Sequence, residues 1–144
     1  MSQQNYSNHR RLVMMYHGVT FSLIMLLLIS SVYYTYSAYS KAASLKPGLF
    51  LLVISIVLFS LFAFGRSFAL KAQDRAIRAE ENFRHYLLTG KPFDSKITTR
   101  QIIGLRFAPD EEFVELAKKA ADTGMSEDEI KKSIKNWKAD TYRA

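Results

Sequence analysis

The chain has 144 residues, with 20 lysines and arginines against 13 aspartates and glutamates, and it contains no cysteine. The missing cysteines exclude disulfides, thiolate chemistry and cysteine-ligated metals. No acidic residue precedes residue 66, so an apolar first part is followed by a charged second part.

Two apolar stretches, residues 18–40 and 47–65, contain no charged side chain. The hydrocarbon core of a bilayer is ~30 Å thick and a helix rises ~1.5 Å per residue, so about 20 apolar residues suffice to cross it. We therefore predict a two-helix transmembrane hairpin, residues 18–65. Arg10 and Arg11 before the first stretch resemble the start of a signal peptide, but the stretch is too long for one, and we expect an uncleaved anchor.

Basic residues flank the predicted hairpin on the side away from its loop, which carries only Lys41 and Lys46. Because basic residues are retained on the cytoplasmic side, we expect both termini in the cytoplasm and a multi-pass protein of the bacterial inner membrane. Residues 1–17 form a polar, interfacial N-terminus in this interpretation. The basic side chains nearest the two spans are candidates for contact with lipid head groups: Arg10, Arg11, Arg66, Lys71 and Arg75.

The second span is predicted to continue as a helix into the charged part of the chain. Residues 68–89 contain strong helix formers and no breaker. Gly90 and Pro92 mark the end, with glycine as the left-handed residue after the helix and proline just beyond it. If Gly65 does not interrupt it, one helix covers residues 47–89.

Small and aromatic residues recur along this continuation at heptad spacing, a pattern typical of helices that approach closely. We call this candidate helix–helix interface the small-residue seam. It serves either as a contact between copies of the chain or as the face on which the rest of the same chain packs. Only two heptads are present, fewer than a coiled coil requires, which favours the second alternative. The seam consists of Ala69, Ala72, Ala76, Ala79, Phe83 and Tyr86.

Residues 66–144 are predicted to form a cytosolic helical domain, in which about three short helices follow the long one. Two of these helices open with capping boxes, Thr98 with Gln101 and Ser126 with Glu129.

The remaining boundaries come from Pro109, which ends one helix or begins the next, and from Gly124, which stops the middle helix. In the last helix Ile130, Ile134 and Trp137 form an apolar stripe. No segment alternates as a strand does, so the predicted fold class is all-α.

Recognisable reaction chemistry is missing from the sequence. No ionisable residue lies inside either apolar stretch, which argues against ion conduction or pumping by the hairpin. The histidines lack the spacing of metal ligands, and the glycines are too scattered for a phosphate loop. The acidic run at residues 110–112 is explained by a helix start more simply than by a cation site. We predict no catalytic residue, no cofactor and no metal, and the role of the acidic segment 110–129 stays open.

Residues 130–138 combine several lysines with Trp137 and superficially resemble a DNA-recognition helix. Two features oppose that interpretation: Trp137 falls on the apolar stripe, and the preceding helix is acidic and would repel phosphate. Pairing between the acidic and basic helices is favoured, and a membrane-tethered nucleic-acid-binding protein is the alternative function.

Several segments together resemble one known pattern, among them RHYLLTGKP at residues 84–92; the others are residues 4–10, 16–17, 71–82, 100–108, 110–113 and 129–140. They resemble an uncharacterised family of small bacterial membrane proteins with two predicted spans, a domain of unknown function. The resemblance covers nearly the whole chain. It implies a bacterial cytoplasmic membrane, and it supplies no activity, ligand or site.

These features favour a non-enzymatic adaptor or scaffold. In this hypothesis a helical interaction domain on a two-span anchor associates with itself or serves as an accessory subunit of a larger membrane complex. The expected partners are the lipid bilayer and either copies of the chain or another membrane protein, with no small-molecule substrate. An enzyme or transport component that uses a partner's catalytic residues is the weakest alternative.

Overall fold

The computed structural model describes residues 4–9 and 12–140, and within these ranges the fold is all-helical, without a strand, as predicted. A π-helical segment, Met14–Thr20, leads into α1. The five α-helices are α1 (Phe21–Ser40), α2 (Lys46–Thr89), α3 (Thr99–Leu105), α4 (Asp110–Thr123) and α5 (Glu127–Ser133).

The chain divides into two compact units. The apolar unit is Arg11–Phe68, and the helical unit combines Met1–Arg10 with Ala69–Ala144. The short N-terminal segment therefore belongs with the C-terminal helices, although the whole apolar unit separates them in sequence.

In the apolar unit, α1 packs against the first part of α2 through small residues. Gly48 of α2 lies so close to Thr35 of α1 that a Cβ at Gly48 would be 2.5 Å from the Thr35 hydroxyl oxygen. Further along, the hydroxyl oxygens of Ser31 and Ser55 are 3.1 Å apart in a buried contact. These small side chains allow the two backbones to approach closely.

Helical winding begins at Met14, four residues before the predicted start at residue 18. The Thr20 hydroxyl donates to the Met15 carbonyl at 2.8 Å, which supports the wider turn of this segment. The Tyr16 hydroxyl donates to the Phe62 carbonyl of α2 at 2.6 Å, and the two rings stack with centroids 4.3 Å apart. This contact with α2, which the hydropathy pattern does not reveal, gives the early turns a packing partner.

Two helical stretches, Met14–Ser40 and Lys46–Thr89, are long and apolar enough to cross a membrane. In their most apolar windows only 6% and 11% of the residues are buried. Large apolar side chains on the outer faces are therefore exposed, for example Leu26 at 62% and Phe50 at 68%.

The long helix α2 is continuous through Gly65, so the conditional prediction of a single helix is confirmed, with a start at Lys46 rather than at Pro47. Gly90 follows it with a φ of +72°, the left-handed conformation predicted for the residue after the helix.

The core of the helical unit lies among α3, α4 and α5. Gly104 of α3 faces α5, and a Cβ there would be 3.1 Å from the Glu127 carbonyl oxygen and 3.2 Å from Cγ2 of Ile130. The close approach of α3 to α5 therefore depends on a glycine at this position. The core is formed by Leu105, Ala108, Phe113, Leu116, Ala117, Ala120 and Ile130.

Both predicted capping boxes are present, Thr98 with Gln101 and Ser126 with Glu129. The amide of Gln101, which is buried, also donates to the carbonyls of Ala120 at 3.0 Å and Met125 at 2.9 Å. One side chain thus caps α3 and satisfies carbonyls at the end of α4 and just beyond it.

The two remaining predicted boundaries are the two ends of α4. Pro109 precedes the first residue of α4 as its N-cap, and Gly124 ends α4 with a φ of +64°.

The prediction that the last helix carries Ile134 and Trp137 is wrong, because α5 ends at Ser133 and Ile134 is extended. The carboxylate of Glu112 accepts the backbone N–H groups of Lys135 and Asn136, each at 2.9 Å. These two backbone N–H groups therefore have hydrogen-bond partners without forming a helix. Trp137 is partly buried all the same.

Candidate interaction surfaces

The part of α2 in the helical unit uses one face to pack against the short helices. Ile77 is buried and contacts the cluster formed by Ile102 and Ile103 of α3. Two turns further on, Nε of Arg84 donates to Oδ1 of Asp110 at 2.7 Å. These contacts leave the side of α2 that carries the seam exposed.

The small-residue seam lies on the uncovered side of α2. Phe83 and Tyr86 are 62% and 53% exposed, and the neighbouring Leu87 is 68% exposed. The short helices pack around Ile77 instead, so most of the seam is uncovered in the described part of the chain, although Ala79 also lines a groove beside residues 93–97. All six seam residues are exposed: Ala69, Ala72, Ala76, Ala79, Phe83 and Tyr86.

A second exposed face of α2 is basic. Lys71, Arg75 and Arg78 are exposed on this face. Arg66 is half-buried and, nine residues before Arg75, lies on the opposite side of the helix. The structure thus places three of the five candidate head-group contacts, Arg66, Lys71 and Arg75, along α2. The other two, Arg10 and Arg11, lie outside the described residues.

The acidic segment 110–129 forms contacts within the chain. Asp110 binds Arg84, and Oε1 of Glu127 binds Nζ of Lys131 at 2.6 Å. Hydrogen bonds to Glu112, above all from the backbone N–H of Lys135, hold the pKa of its carboxyl below the ordinary value. In the described ranges no group of three or more histidine, aspartate or glutamate side chains is placed to hold a metal ion.

The lysines of α5 are partly neutralised. Lys131 is paired with Glu127, and Nζ of Lys132 lies 2.7 Å from Oδ2 of Asp128. Lys135 and Lys138 lie beyond the end of α5, so no single helix presents all four lysines to a groove of DNA. No contact in the described structure favours the nucleic-acid alternative.

Residues 4–9, which we call the N-terminal strap, lie against the C-terminal part of the chain. The side-chain oxygen of Gln4 accepts the backbone N–H of Asp140 at 2.7 Å, and the Tyr6 hydroxyl donates to Oδ1 of Asp128 at 2.5 Å. Hydrogen bonds from Lys132 and then from Tyr6 hold the pKa of Asp128 below its ordinary value. Sequence reasoning missed this contact, since no local pattern links segments more than 120 residues apart.

The ring of His9 anchors the strap in an aromatic cluster. Its centroid lies 5.8 Å from those of Phe107 and Trp137, which stack on each other at 4.6 Å. Nδ1 lies 2.6 Å from the Tyr6 carbonyl oxygen, and Nε2 lies 3.3 Å from Nζ of Lys131. A carbonyl can only accept, so the Tyr6 contact requires a proton on Nδ1.

A comparison with protein-family models matches one model over residues 1–144, described as a family of unknown function, DUF6526. The chain belongs to this family. The match confirms the resemblance to an uncharacterised family. Comparison with curated proteins and with solved structures finds no significant match.

The DUF6526 description assigns no activity, so function has to be inferred from the surfaces of the protein. Three features stand out in the described structure: the exposed apolar outer faces of α1 and α2, the uncovered small-residue seam, and the basic face of α2. Each is suited to contact with another molecule, a lipid or a protein, through packing and charge.

Proposed function

We propose that this protein is a non-enzymatic integral membrane protein that acts as an adaptor. In this proposal residues 18–65 form a two-span anchor, and residues 66–144 form a helical interaction domain at the cytoplasmic face of a bacterial inner membrane.

The exposure of the two apolar helices is the observation that supports membrane insertion. Apolar core helices of a water-soluble protein are mostly buried, whereas here only 6% and 11% of the most apolar windows are buried. Exposed apolar surface costs about 25 cal/mol per Å² in water, and soluble monomers rarely expose apolar patches beyond a few hundred Å². Lipid removes this cost.

The absence of native cysteine makes the proposed orientation directly testable. Single cysteines are introduced by Ser44→Cys in the loop and by Asp122→Cys on α4, both at exposed positions. With a membrane-impermeant maleimide, we expect the loop cysteine to react in intact spheroplasts and the α4 cysteine to react only after lysis. The reverse pattern would contradict the orientation, and recovery of the protein in the soluble fraction would contradict the anchor.

The uncovered seam supports the adaptor role, and we propose a second copy of the chain as its partner. Alanines let two helices approach closely, and the larger Phe83 and Tyr86 provide apolar area at one end. Two copies in one membrane hold their α2 helices parallel, so a symmetric contact would place each seam residue opposite its counterpart.

Disulfide crosslinking in native membranes tests this contact. Residues 76 and 78 point about 200° apart on the helix, so Ala76→Cys samples the seam and Arg78→Cys samples the basic face at the same height. We expect a disulfide-linked dimer from Ala76→Cys and little from Arg78→Cys. Equal yields from the two positions would exclude the seam as the contact. An adduct of Ala76→Cys with a different protein would identify another membrane protein as the partner and overturn self-association.

A further inference from the structure

We propose that a groove beside α2 binds the phosphate of an anionic phospholipid head group. The groove has a volume of about 310 Å³ and lies within the helical unit, between the basic face of α2 and residues 93–97. Its polar lining includes Arg75, Arg78 and Asp94, and its apolar lining includes Phe93, Ile97, Ile102 and Ala79 of the small-residue seam.

The far wall of this head-group groove is held in place by backbone hydrogen bonds. The Phe93 N–H donates to the Asn82 side-chain oxygen on α2 at 3.0 Å. The Ile97 N–H donates to the Asp94 carbonyl at 3.0 Å, and the Lys96 N–H donates to the Asp94 carboxylate at 2.8 Å. The groove is therefore formed before a ligand arrives, which reduces the entropic cost of binding.

The charges lining the head-group groove are unbalanced. Throughout the described ranges neither Arg75 nor Arg78 forms an ion pair, whereas Arg84 and Arg106 are paired with Asp110 and Asp140. A guanidinium group matches the geometry of phosphate oxygens and can donate two parallel hydrogen bonds to them.

The net charge and the apolar lining favour a lipid over a free phosphate. Two guanidinium groups and the carboxylate of Asp94 leave one positive charge, which matches the single negative charge of a phosphodiester. Phe93, Ile97 and Ile102 offer apolar surface to the glycerol part of the lipid. Basic pockets at the cytoplasmic side of membrane proteins are a recurrent form of head-group site. The inference rests on the proposed function, because α2 must cross a bilayer.

The test uses the full-length protein in a neutral detergent with short-chain phosphatidylglycerol, short-chain phosphatidylcholine or inorganic phosphate as the probe. Binding is followed by native mass spectrometry and by the thermal unfolding midpoint. The test variant is Arg75→Gln with Arg78→Gln. The control variant, Lys96→Gln with Lys119→Gln, removes the same charge from exposed residues that do not line the groove.

We expect phosphatidylglycerol to bind more tightly than phosphatidylcholine. The arginine variant should lose about thirtyfold in that affinity, because each of the two basic residues contributes about 1 kcal/mol and about 1.4 kcal/mol corresponds to a tenfold change. The loss of phosphatidylglycerol affinity in the lysine control should be less than half of the loss in the arginine variant. Equal losses in the two variants, or no preference for phosphatidylglycerol, would overturn the groove as a site. Displacement of the lipid by millimolar inorganic phosphate would overturn the lipid assignment.

Extraction of membranes with alkaline carbonate separates the two proposals. A protein that stays in the membrane pellet but shows no groove-dependent lipid preference contradicts only the head-group groove. A protein released into the soluble fraction contradicts the membrane anchor and, with it, the groove.

Discussion

The hydroxyl oxygen of Ser31 on α1 lies 3.1 Å from that of Ser55 on α2, and both side chains are buried. Each hydroxyl also has a carbonyl of its own helix within reach, Leu28 at 2.8 Å and Leu51 at 2.7 Å. A hydroxyl has one proton, so at any moment one serine donates across the contact and the other donates to its own backbone. The pair therefore links the two helices without leaving a donor unused.

Ser31→Ala should weaken the contact between α1 and α2 by about 0.6 kcal/mol, the usual size of a hydrogen bond between helices in lipid. Unfolding of the full chain in detergent, measured for Ser31→Ala, Ser55→Ala and the double variant, gives the coupling energy directly. Ser30→Ala, at the exposed neighbouring position, is the matched control and should be neutral. Strictly additive effects of the two buried serines would show that the pair does not stabilise the contact.

Gly104→Ala should destabilise the helical unit by about 1–2 kcal/mol, because the new Cβ meets the Glu127 carbonyl, a backbone atom that cannot move aside cheaply. The matched control is Gly65→Ala, where no atom lies within 4 Å of the added Cβ. That variant should be neutral or gain about 0.5–1 kcal/mol, since alanine is the better helix former. Thermal unfolding of both variants checks the prediction, and a stabilised Gly104→Ala would refute the close packing of α3 on α5.

Tyr6→Phe should loosen the N-terminal strap, because it removes the hydroxyl that donates to Asp128 and keeps the ring. A lost hydrogen bond of about 1 kcal/mol corresponds to roughly fivefold faster local opening. Amide hydrogen exchange at residues 128–140 of the full chain measures this effect. Ser7→Ala is the control, since among the described residues its hydroxyl bonds only to Asn5, within the strap itself. Unchanged exchange in Tyr6→Phe would contradict a role for this hydroxyl in holding the strap.

Glu112→Gln should reduce stability at neutral pH by about 1 kcal/mol, because the amide is a weaker acceptor for the N–H groups of Lys135 and Asn136. The pKa of Glu112 is lowered in the folded protein from an ordinary value of 4.5, so the stabilisation is complete above that value. It is lost as the pH falls through the lower, folded pKa.

The stability difference between the native chain and Glu112→Gln should therefore be constant above about pH 4.5 and shrink below it. Chemical unfolding at a series of pH values tests this, with the exposed Glu111→Gln as the control. A difference that widens on acidification would contradict the assigned hydrogen bonds.

Local interactions explain which features of the fold were predictable. The capping boxes at Thr98 and Ser126 involve residues three positions apart, and the left-handed residues Gly90 and Gly124 are needed wherever a helix ends in this way. The residues responsible are neighbours in the chain, so the pattern is visible in the sequence.

Contacts between distant segments explain which features were missed. The end of α5 depends on Glu112, which is more than 20 positions away from the N–H groups it binds. Tertiary contacts also decided which face of α2 packs against the short helices. Ile77 is the one buried apolar side chain of α2, and it contacts α3. Heptad spacing identified the seam, but spacing alone does not specify which partner covers it.

The sequence by itself determined the helical class, the two apolar stretches and most helix boundaries, because these follow from the composition and order of neighbouring residues. Only the tertiary structure decided that the strap binds the C-terminal segment, that the small-residue seam stays uncovered and that Arg75 and Arg78 line a groove. These features depend on free energies of packing and charge pairing between segments far apart in the chain, which a linear pattern does not encode.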